Sequence, residues 1–187
     1  MNQKTKKLTL SALLIALATV LALLSNIIPI RLPFGGSVTL ASMVPIIFVG
    51  LLCGTKWGII SGVVYGAIQM ILGFYPAPTQ TFLDNMLVVF LDYILAFGVL
   101  GLSDVFFKLM GKKIYSVAIS AFTVTLLRYI CHILSGVIIW SVYKEAGQTA
   151  LAYSVLYNGS YMIPEIILST IVTALLFPFL KKHKTLQ

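Results

Sequence analysis

Charge is what this chain has least of. Only 10% of its 187 residues are charged, and its acids number five. Soluble domains carry roughly 25% charged residues, so a chain this poor in charge cannot cover a core with a water-facing surface. Cysteine is equally scarce. The two present, Cys53 and Cys131, sit inside apolar runs with no second ligand at metal spacing. That excludes a disulfide framework and leaves packing thiols rather than a metal site. No Gly-x-x-x-x-Gly-Lys-Ser/Thr loop occurs, so the chain does not hydrolyse ATP by that route. There is no internal repeat, no low-complexity segment and no residue set that calls for a cofactor.

Apolar surface fills the gap. Hydrophobic residues make up 59% and the mean hydropathy is +1.02. A transmembrane helix needs about 20 apolar residues, which leaves room for five or six in one domain, 1–187. The apolar runs predict helices over 8–28, 43–53, 57–72, 82–109, 114–142 and 149–180. Between the first two lies a loop with Pro29, Arg31, Pro33 and Gly35-Gly36-Ser37; between the third and fourth lies a loop with Pro76 and Pro78. Lys4, Lys6 and Lys7 before an apolar run resemble a signal peptide. The run continues too far and lacks a small-residue cleavage site, so it reads as the first helix.

The net charge of +8 does not point to nucleic acid, because the basic residues flank apolar runs as membrane topology signals do. With six helices, one side collects Lys4, Lys6, Lys7, Lys56, Lys108, Lys112, Lys113, Lys181, Lys182 and Lys184. The other side receives Arg31 and Lys144. The expected architecture is therefore an all-α membrane protein, six transmembrane helices in one bundle, with both termini cytoplasmic. Gly54, Gly58, Gly62 and Gly66 form a ridge that allows close helix approach; Ala12 and Ala16 do something similar on the first helix.

Ionisable groups at bilayer depth are costly, so each one poses a functional question. Asp92 lies about ten residues, roughly 15 Å, into the fourth helix. Arg128, His132, Gly136 and Trp140 recur at four-residue spacing on the fifth and form one stripe. Tyr153 and Asn158 fall in the outer half of the sixth. An acid, an imidazole, an indole, a phenol and an amide thus share the outer layer. That describes a pocket open to the outside. A carboxylate with aromatic walls suits a flat cation, and Gly136 leaves room for it. Structural readings compete with this one. Trp140 fits an interfacial belt, His132 fits a packing role, and Asn158 fits a helix–helix bond. Arg128 and Glu165 lie at similar depth on antiparallel neighbours, which predicts a structural ion pair beneath the pocket, with Asp92 as the rival partner. Pro164 would open the helix locally to admit the pair.

The segments Phe90-Leu91-Asp92-Tyr93, 127–136 (Leu-Arg-Tyr-Ile-Cys-His-Ile-Leu-Ser-Gly) and 152–159 (Ala-Tyr-Ser-Val-Leu-Tyr-Asn-Gly) resemble those of the thiamine-specific substrate-binding components of energy-coupling factor transporters. The resemblance covers nearly the whole chain. It implies a bacterial, multi-pass, non-enzymatic membrane protein that binds thiamine from outside. It also implies partners: a shared transmembrane coupling protein and two cytoplasmic ATPases. Matched position by position, it implies thiamine contacts for Asp92, His132, Trp140, Tyr153, Asn158 and Tyr75. Ala12 and Ala16 would contact the coupling protein. Some members carry Glu where this chain has Asp92, and some carry a Trp in the first loop where this chain has Phe34-Gly35-Gly36-Ser37. The alternative outside this class is a stand-alone proton-coupled transporter of a small organic cation, with Asp92 or Glu165 carrying the proton.

Overall fold

The computed structural model describes residues 2–25, 27 and 36–181. The expectations for Pro29, Arg31, Pro33, Phe34, Gly35, Lys182 and Lys184 lie outside the described residues. Six helices form the bundle: α1 Gln3–Ser25, α2 Val44–Cys53, α3 Thr55–Gly73, α4 Phe82–Leu109, α5 Ile114–Ile138 and α6 Ala150–Lys181. All but α2 are long and apolar enough to cross a membrane. The chain is an all-α, multi-pass membrane protein. α1 starts five residues earlier than expected. The apolar run marks the span, but Lys and Gln are good helix formers, so the helix continues into polar surroundings.

Ten residues of α2 rise only about 15 Å, half of a hydrocarbon core. The extended segment 36–43 makes up the difference. Gly36 N–H donates to the Tyr157 hydroxyl (3.2 Å) and Thr39 N–H to Glu165 Oε1. Leu40 N–H donates to Ser25 Oγ (2.7 Å). Tyr157 and Glu165 are two turns apart on α6, about 12 Å, so the segment follows α6 inward before α2 begins. Irregular backbone at membrane depth survives only where protein groups satisfy it, and these three side chains do so. α2 is apolar on every side, and all its residues except Leu52 are buried. Such a helix belongs at the centre of a bundle.

Glycine sets the spacing around it. Gly54 (φ 97°) lets α2 reverse into α3 within one residue. A Cβ on Gly58, Gly62 or Gly66 would come within 2.5, 2.3 or 2.4 Å of the carbonyl oxygens of Gly101, Phe97 or Tyr93. The ridge read from sequence therefore packs within the chain, against α4. At the same end of the bundle, Lys7 Nζ donates to Cys53 O (3.0 Å), while Asp104 binds Lys108 (2.6 Å) and Thr55 (3.2 Å). Lys7, Lys56 and Lys108 thus share one end, as the charge count requires. Ala12 and Ala16 are exposed on α1, whose buried residues are Ser11, Ala18, Ala22 and Ser25.

Two departures shape the opposite end. α4 keeps its expected limits but is not uniformly α: Val89–Leu95 is wound as a π-helix and Val99–Leu102 as a 3₁₀ turn. α5 ends at Ile138, and Trp140–Tyr143 forms a 3₁₀ turn beyond it. Pro164 does not open α6, which runs unbroken through it.

Candidate functional site

A cavity of about 600 Å³ lies between α1, the 36–43 segment and α3–α6. That volume sits within the range of small-molecule sites, roughly 300–1,000 Å³. Asp92 reaches it from the π-helical turn of α4. Such turns re-aim a side chain by slipping one residue into the helical register, and they concentrate at functional sites. The carboxylate is held on both oxygens. His132 Nδ1 lies 2.9 Å from Oδ1, Ser135 Oγ–H donates to Oδ2 at 2.6 Å, and Trp140 Nε1 approaches Oδ2 at 3.5 Å. The 3₁₀ turn after α5 swings Trp140 over the acid. Its ring meets Tyr75 (centroids 5.6 Å) and lies parallel to Tyr143 (6.3 Å, 18°). Tyr75 is positioned in turn by Tyr93, whose hydroxyl accepts from Tyr75 N–H (3.3 Å) and donates to Gly73 O (3.0 Å).

α6 supplies the facing wall. Tyr153, Tyr157, Tyr161 and Glu165 follow one another at four-residue spacing. Tyr153 and Tyr157 stack at 5.8 Å, and the Tyr153 hydroxyl has no hydrogen-bond partner. Asn158 is committed on every side. Its amide donates to His132 O (3.1 Å), Ser154 O (2.9 Å) and Ser154 Oγ (3.1 Å), and its oxygen accepts from Tyr161 (2.6 Å). It lines the cavity while joining α5 to α6, so both sequence readings of it hold together.

Asp92, His132, Gly136, Trp140, Tyr153, Asn158, Tyr75, Arg128 and Glu165 all line this one cavity. Two details differ from expectation. A Cβ on Gly136 would stand 2.0 Å from Ser154 Oγ, so this glycine makes room for α6 rather than for a ligand. Arg128 and Glu165 face each other across the cavity, but no direct ion pair within 4.0 Å joins them; the described pairs are Lys108–Asp104 and His132–Asp92. Glu165, 1% exposed, spends one oxygen on Thr39 N–H, while Oε2 has no partner. The guanidinium of Arg128 lies 3.9 Å from the Phe97 ring centroid, and its Nε donates to His132 Nε2 at 3.2 Å. The backbone of the 36–43 segment and the Phe97 ring thus take the places of the pair's two charges.

Ser135, Tyr157 and Tyr161 were not singled out from sequence. Their signal was available: Ser135 is one turn from His132, and the tyrosines repeat at helical spacing from Tyr153. Among the described residues no three His, Cys, Asp or Glu side chains gather as a metal site, and both cysteines are free and buried. An acid with fixed donors, walled by aromatic rings, is chemistry for holding a flat cation.

Residues 8–185 match the family model described as thiamine transporter protein. The chain is 33% identical, over 95% of its length and 94% of the relative's, to a protein named thiamine transporter ThiT from Bacillus subtilis (strain 168). A solved structure of ThiT from Listeria monocytogenes superimposes with a TM-score of 0.75, covering 97% of this chain and 98% of that one at 23% identity. At that identity the superposition speaks for the fold.

Proposed function

Because the chain belongs to the thiamine transporter protein family, we propose that it is a thiamine-binding subunit, capturing the vitamin from outside and delivering it inward with a coupling protein and two ATPases. The observation that carries this reading is Asp92. Its carboxylate is oriented by His132 and Ser135 and lies among Trp140, Tyr75 and the tyrosines of α6. Thiamine is flat, aromatic and permanently cationic. The carboxylate offers charge, the rings offer cation–π contact, and the cavity is large enough to enclose it. The end holding the site would face outward and the lysine-bearing end, with both termini, the cytoplasm.

Transport needs an energy source. On this reading the coupling protein docks on α1 at Ala12 and Ala16, where exposed small residues let another backbone approach. The test is uptake into vesicles containing this subunit, the coupling protein and the ATPases. Ala12→Trp or Ala16→Trp should block uptake while thiamine binding to the purified subunit persists. Thiamine uptake by the subunit alone, driven by a proton gradient, would replace this reading with that of a stand-alone proton-coupled transporter.

A further inference from the structure

Arg128 has no carboxylate within ion-pair distance, yet it stands in a cavity read as holding a cation. Its hydrogen bond explains why it is there. Arginine can only donate, through nitrogens that stay protonated in proteins. Its Nε points at His132 Nε2 from 3.2 Å. That imidazole nitrogen must therefore offer a lone pair, so it carries no proton. The ring proton then belongs to Nδ1, which faces Asp92 Oδ1 at 2.9 Å. One geometry excludes both the other tautomer and the imidazolium.

We propose that Arg128 is a positioning residue: through its Nε–H it holds His132 as the neutral Nδ1–H tautomer, so that His132 orients Asp92 without neutralising it. An imidazolium against Asp92 would form a closed ion pair and leave little negative charge for a cationic ligand. A neutral Nδ1–H gives the same orientation and leaves the charge. The charge of Arg128 itself is met by the Phe97 ring face and, across the cavity, by Glu165. The other titratable groups around the imidazole are Tyr161 from α6, at 6.0 Å between centroids, Cys131 from α5 and Tyr65 from α3. None of them donates a hydrogen bond to Nε2, so Arg128 performs this role by itself.

This assignment rests on the binding-site reading above for its purpose, but not for its first test. Imidazole nitrogen NMR of histidine-labelled protein in detergent distinguishes the two tautomers and the imidazolium. The second histidine, His183, is removed from the spectrum by His183→Gln. In the unliganded protein His132 should be the neutral Nδ1–H form from pH 7.5 down to 5.5. An Nε2–H tautomer, or an imidazolium at pH 5.5, overturns the proposal whether or not thiamine binds. In Arg128→Met, His132 is released to protonate near the ordinary value of about 6.5, and thiamine affinity should fall about tenfold between pH 7.5 and 5.5. The unsubstituted protein should show a clearly flatter profile in the same buffers. Matching profiles for the two proteins would remove Arg128 from this role. If Arg128→Met does not fold, the spectrum of the unsubstituted protein decides alone. Failure of that protein to bind thiamine would instead sink the functional reading and leave the tautomer result standing.

Discussion

Replacing Asp92 by Asn removes one charge and almost nothing else. Its carbonyl can still accept from His132 Nδ1–H, and its new amide can donate to Ser135, whose hydroxyl also accepts. The shape and both hydrogen bonds therefore survive. The charge does not, and its value to a bound cation can be bounded. Two unit charges about 4 Å apart attract by about 1 kcal/mol in bulk water and about 4 kcal/mol at an effective dielectric near 20. The Asp92 side chain is 16% exposed, so the site lies between these limits. A loss of about 1.5–3 kcal/mol follows, typical of a charge-assisted hydrogen bond made neutral. That corresponds to about a 10- to 150-fold weaker thiamine affinity. Isothermal titration of detergent-purified protein measures it, with thermal unfolding of the same sample as the control. Unchanged affinity in Asp92→Asn would take the carboxylate out of the site. A loss of binding that merely tracked a loss of folded protein would refute the electrostatic argument while leaving Asp92 as a structural residue.

Trp140 should report ligand entry: thiamine should quench tryptophan fluorescence, and Trp140→Phe should abolish the quenching, because the remaining Trp57 sits near the opposite end of α3. Glu165→Gln keeps an oxygen for Thr39 N–H and should be mild, whereas Glu165→Leu strands that buried donor and should cost about 1–3 kcal/mol in unfolding experiments. Gly62→Ala puts a methyl 2.3 Å from Phe97 O. It should destabilise the fold by about 1–3 kcal/mol through overpacking, seen as a lowered Tm.

Apolar length and flanking lysines carried most of the fold, since both follow from the cost of placing charge in lipid. The glycine ridge of α3 was legible for a related reason: in a membrane, close packing needs small residues at a fixed period. What escaped was local winding. Nothing in Val89–Leu95 distinguishes a π turn from an α turn, because the choice is made by tertiary contacts that aim Asp92 at His132. The 3₁₀ turn that carries Trp140 is hidden for the same reason. Depth placed Arg128 and Glu165 at one level, and they do line one cavity. Depth alone could not see that the 36–43 segment brings an unsatisfied Thr39 N–H to Glu165 first. Gly136 was misread because a glycine facing a pocket and one facing a helix look identical until Ser154 is placed opposite.

The central claim is that this cavity holds thiamine. Calorimetric titration of the purified subunit with thiamine, riboflavin and biotin tests it most directly. The account predicts saturable one-to-one binding of thiamine and none of the other two, since riboflavin and biotin bring no fixed positive charge to Asp92. Absence of thiamine binding by folded protein, or equal binding of riboflavin, would contradict it.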